Sequence, residues 1–166
     1  KGCLNSPVVT RSFFFFVGNY TLPVLSVNTG PKNFFDNTIG LYVTGTNGQV
    51  ANNSKVKANQ NMDWERPVNV EYFVPDVNQN YKEALNQEAN FSIFGGWTRF
   101  NPGNEDFEYR SSFKLKSGKE FEGANSFAYP VFGSKPYIKI KNFLVRNGGQ
   151  DKYCRIWDAA IHELLR

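Results

Sequence analysis

Two short stretches of this sequence carry residue types suited to anion chemistry. Gly95-Gly96-Trp97-Thr98-Arg99 joins two glycines, whose backbone N–H groups can approach an anion closely, to a guanidinium that adds charge. Residues 144–149, Leu-Val-Arg-Asn-Gly-Gly, set Arg146 and a second glycine pair between a strand-like run and a helical one beginning near Asp151. Such a junction can hold phosphate at the helix N-terminus, but an acidic cap at Asp151 already answers that positive end. Neither spacing matches the P-loop or the dinucleotide fingerprint, and a tight turn is the commoner use of paired glycines. A third stretch, Asp63-Trp64-Glu65-Arg66-Pro67, places two carboxylates beside an arginine and reads as a local ion-pair cluster.

Composition removes other chemistries. The 166 residues include one His and two Cys, too few for a four-ligand Cys/His zinc site. Any His-dependent nucleophile would have to run through His162, which sits in a helical pattern beside Leu164 and Leu165 and reads as a packed or surface residue. The net charge of +4 is mildly basic and scattered. Its densest stretch, residues 135–146, alternates Lys139 and Lys141 with Ile138 and Ile140, the pattern of a half-buried strand; no nucleic-acid footprint emerges. No apolar run approaches membrane-spanning length, and the mean hydropathy is −0.48. Sixteen Phe, eight Tyr and three Trp make the chain 16% aromatic. Exposed Trp and Tyr can stack on sugars, but Phe dominates the count and is chiefly a core residue.

Cys3 and Cys154 lie near opposite ends, and the sequence leaves open whether they pair or stay as buried thiols. Asn19, Asn52 and Asn90 open glycosylation-type triplets that Asn-rich chains also match by chance. The chain starts at Lys1 without an apolar signal segment, so it reads as a processed product or a piece of something longer.

The elements that must position these residues are mostly strands. Strand signals cover residues 7–17, 22–27, 40–44, 68–74, 90–94, 111–116 and 137–145, with glycine, asparagine or proline punctuation between them. Residues 32–38 suit a short helical turn, and the polar stretch 78–87 a turn. Residues 46–62, rich in Asn, Gln, Lys and Gly, read as a loose polar loop. From Asp151, Tyr153, Trp157, Ala160, Ile161 and Leu164 recur at helical spacing, and no Gly or Pro stops the pattern before Arg166, as expected of a helix cut short. These signals predict an α+β fold, mostly antiparallel β with a C-terminal helix.

The order of the segments is more informative than any one of them. Residues 22–27, 31–43, 63–73, 92–99, 129–133, 143–149 and 155–159 together resemble the N-terminal half of the CotH family, the spore coat protein H-type atypical protein kinases. The resemblance covers residues 18–166 as the N-terminal portion of a kinase domain; residues 1–17 resemble the last strand of a preceding sandwich-like module, or a linker. It implies a kinase N-lobe-like portion, ATP and Mg as cofactors, transfer of phosphate to protein Ser, and a secreted or cell-surface bacterial protein. Gly95, Gly96, Arg99 and Arg146 match the family's nucleotide-binding segments, and Asp158 matches the Asp of its Arg-Asp-Ala-like segment. The family's Lys before Ser-Phe is replaced by Ser111, so Arg110 and Lys114 are the cations at hand to substitute. Residues 103–109 form an acidic insertion, and the family's catalytic acids lie beyond this chain's end. Catalysis is therefore expected of the full-length chain and not of this fragment, whose partner would be a protein substrate or its own C-terminal remainder. The alternative is an extracellular carbohydrate-binding or adhesion module that engages glycans through Trp64 and Trp97.

Overall fold

Alternation of β-branched or aromatic residues with polar ones produces strands in the computed structural model, which describes residues 9–13, 21–50, 57–95, 111–120, 125–132, 135, 138–147 and 156–164. The main sheet has five antiparallel strands in the order β1-β4-β5-β6-β7: β1 Val24–Asn28, β4 Arg66–Pro75, β5 Tyr81–Phe94, β6 Ser112–Lys116 and β7 Asn142–Val145. A small hairpin pairs β2 Gln49–Val50 with β3 Lys57–Ala58. The helices are α1 Pro31–Phe35, with proline in its first turn, and α2 Trp157–Leu164.

Register sorts the side chains onto two faces. One face carries the rows Val27–Val70–Gln87, Leu25–Tyr72–Leu85 and Phe91–Leu115–Phe143. Apart from Gln87 and Tyr72, these side chains belong to the core together with Leu41 and Phe127, both fully buried. Aromatic rings knit it together: Phe91 stacks on Phe113 at 4.8 Å between centroids, and Phe127 meets Phe143 edge-on at 5.0 Å. Phe34, Tyr42, Trp64, Phe91, Phe113, Phe127 and Phe143 belong to the core or pack against it, whereas Phe13, Phe35, Phe94 and Phe132 are exposed. The opposite face is polar, with the rows Ser26–Glu71–Asn86, Asn28–Asn69–Glu88 and Ser92–Lys114–Leu144.

Several local expectations are corrected. Residues 40–44 form a turn instead of a strand, because Leu41 and Tyr42 donate their N–H groups to Asn33 and Phe34 carbonyls and so drop both side chains onto α1 and the core. The polar stretch 78–87 holds its turn only at its start, where Asp76 Oδ1 accepts N–H groups from Asn78 and Asn80; residues 81–87 are half of the 14-residue β5. The described part of the polar loop is anchored. Asn59, Gln60 and Asn61 form a buried 3₁₀ turn, in which Asn59 donates to the Asn37 carbonyl at 3.2 Å and Asn61 to the Gln49 carbonyl at 3.0 Å. Residues 9–13 carry no strand, and within 138–145 the ladder begins only at Asn142, preceded by an Ile140–Phe127 bridge. On α2 the described apolar side chains, Ile161 and Leu164, are exposed. Most of residues 1–20, with Cys3, and Cys154 lie outside the described residues.

Candidate functional site

The pairing of Arg66 with Phe91 places Glu65, one residue earlier, at the end of the row that runs through Ser92 in β5 and Lys114 in β6. Asp63 lies two residues further out, beyond which β5 stops at Phe94 and Gly95. Gly95 has φ 115, a backbone conformation that side-chain-bearing residues rarely adopt, so glycine suits the point where the strand leaves the sheet. Asp63, Glu65, Ser92, Ile93, Phe94, Gly95 and Lys114 line a cleft of about 480 Å³ at this end of the polar face.

Its electrostatics centre on Glu65. The Lys116 ammonium donates to both carboxylate oxygens, at 3.3 and 3.2 Å, while the Lys114 ammonium stands 4.0 Å from Oε1. All three side chains are about one-third to under half exposed. The charged lining of the cleft is one ammonium, Lys114, against two carboxylates, Asp63 and Glu65, so Lys114 is the lining group suited to an anion. Ser92 is nearly buried and offers a hydroxyl from the cleft floor.

Of the residues singled out in the sequence, Asp63, Glu65, Gly95 and Lys114 meet in the cleft. Arg146 follows β7, whose Val145 pairs with Phe113, so it emerges at the same end of the sheet but does not line the cleft. Gly96, Arg99 and Arg110 lie outside the described residues; Asp158 belongs to α2, and its side chain lies outside them too. The expected ion-pair cluster of residues 63–67 takes a different form. Arg66 donates to the Ile39 carbonyl at 2.9 and 2.6 Å and stacks over Trp64 at 4.9 Å, while Glu65 turns to the lysines of β6. Trp64 is partly buried, capped by Arg66 and packed against the core; Trp97 lies outside the described residues. Ser92, Glu65 and Lys116 are the site residues that sequence reasoning missed as partners, and only the strand register could have united them.

Metal fit follows from the donor set. Among the described residues, no three His, Cys, Asp or Glu side chains cluster to hold a metal. Magnesium in nucleotide sites takes one or two carboxylates plus phosphate oxygens and water, and Asp63 in the cleft suits that partial role. No family model, curated protein or solved structure matches this chain.

Proposed function

We propose that the cleft at the end of β5 and β6 receives the phosphates of a nucleotide, and that the chain is the nucleotide-holding, N-lobe-like portion of a CotH-like protein kinase. Lys114 in the cleft beside Gly95 supports this reading most directly: it is a cation on the polar face of β6, whereas Ser111, which stands where the family has its Lys, falls by strand alternation on the other face.

In this reading the Lys114 ammonium neutralises phosphate oxygens as a point charge. Arg146 adds positive potential at the same end of the sheet. Asp63 is the side chain that would hold magnesium, which would supply further neutralisation of phosphate charge. The γ-phosphoryl group would pass to a protein Ser hydroxyl only with the catalytic acids that the family carries downstream. The full protein is then a secreted or surface kinase of bacterial type.

Calorimetric titration with Mg-ATP tests this. The wild-type chain binds ATP weakly, and Lys114→Met lowers affinity at least about tenfold while the fold is kept. Absence of ATP binding, or equal binding by Lys114→Met, contradicts the reading.

A further inference from the structure

One carboxylate serves two ammonium groups here, and unevenly. Lys116 holds both oxygens of Glu65 within hydrogen-bond distance, whereas Lys114 lies beyond it at 4.0 Å from one oxygen. Lys114 lines the cleft and Lys116 does not. The two lysines lie two residues apart on one face of β6, so Glu65 reaches toward both from the adjoining end of the row.

We propose that Lys116 is a positioning residue: it occupies Glu65, so that the Lys114 ammonium stays available to an anionic ligand in the cleft. The nucleotide part of this inference rests on the phosphate-binding reading above; the competition for Glu65 does not. Without Lys116, Glu65 closes on Lys114 and neutralises it. Glu65 thereby opposes anion binding, and Lys116 relieves that opposition without touching the ligand.

Two readouts on the full 166-residue chain test the inference. In the first, acetylation of the Lys114 amine by a water-soluble acylating ester is followed by mass spectrometry. Lys116→Met slows labelling of Lys114 about threefold, Lys116→Arg restores it, and in a Glu65→Gln background Lys116→Met changes nothing. The second readout is ATP affinity, which falls about threefold in Lys116→Met, rises about threefold in Glu65→Gln, and is indifferent to Lys116→Met once Glu65 is Gln. A general loss of positive charge would weaken binding equally in both backgrounds, and that result overturns the inference. So does unchanged Lys114 labelling in Lys116→Met. If the wild-type chain binds no ATP, the phosphate-binding reading falls, and the labelling series still decides the role of Lys116.

Discussion

Glu65 and Glu71 lie six residues apart and serve the same face of the same sheet, yet their surroundings are opposite. Glu71 is fully buried in the centre of β4, beneath residues 9–13. Its Oε1 accepts the Ser12 N–H at 3.2 Å and the Asn86 amide at 3.3 Å; its Oε2 accepts the Ser12 hydroxyl and, at 3.2 Å, the Asn28 amide. Because the Ser12 proton goes to Glu71, the 2.7 Å contact between Ser12 and Ser26 must be donated by Ser26. Each lone-pair direction is answered by a neutral donor, and the result ties the segment 9–13 to three strands, β1, β4 and β5. Glu65 instead sits half-exposed at the end of a row, shared between two ammonium groups beside a cleft. A carboxylate saturated by fixed neutral donors is an architectural joint, whereas one balanced between mobile cations can change partners. The same residue type on one face thus divides into structure and candidate function according to its donors and its access to solvent.

Substitutions that should divide the two glutamates sharpen this contrast. The largest effect is expected at Glu71→Ala, which takes the acceptor from the Ser12 N–H and hydroxyl and one acceptor from each of the Asn28 and Asn86 amides, and costs about 3 kcal/mol in denaturant unfolding. Ser12→Ala removes one donor at the edge of that network and costs about 1 kcal/mol, accompanied by faster proteolysis at residues 9–13. Glu65→Gln removes only partly exposed ion pairs and changes unfolding by less than about 1 kcal/mol, though it shifts ATP affinity. Equal destabilisation by Glu71→Ala and Glu65→Gln would break the comparison.

A smaller effect concerns acid. N–H groups of Asn80 and Asn78, with Lys82 nearby, hold the Asp76 carboxyl below its ordinary value despite some desolvation; the Thr38 hydroxyl and the Thr38 and Ile39 N–H groups do the same for Asp36. Groups lowered in the folded state release protons more readily than in the unfolded chain. Their contribution is complete above the unfolded value near 3.8 and is lost as pH falls through the folded one. Asp76→Asn should therefore flatten the acid limb of a melting-temperature profile and leave its slope near neutrality unchanged. Burial pushes Tyr42 up to about 12, so it stays protonated across the same range.

Much of the sheet was legible because its chemistry is local. Val68, Val70 and Tyr72 alternate with polar neighbours, and the core face follows from that period. Segments whose fate depends on distant partners were not. The polar stretch 78–87 suggests a turn, which its first residues make, yet residues 81–87 form a strand because β4 supplies their ladder and leaves Lys82 and Glu83 in solvent. Asn59 and Asn61 look like loop residues, yet they are buried because the Asn37 and Gln49 carbonyls need their donors. The site divides in the same way. Gly95 and Lys114 stand out by type, but the pairing of Glu65 with Lys116 crosses 51 residues and exists only through the register of three strands.

The contrast between the two glutamates is tested most directly by amide chemical-shift mapping during titration of the ¹⁵N-labelled chain with Mg-ATP. The account predicts saturable shifts centred on Ser92, Gly95 and Lys114, with Ser12, Ser26 and Asn86 around Glu71 unmoved. Shifts centred on the Glu71 network, or none at millimolar nucleotide, would contradict it.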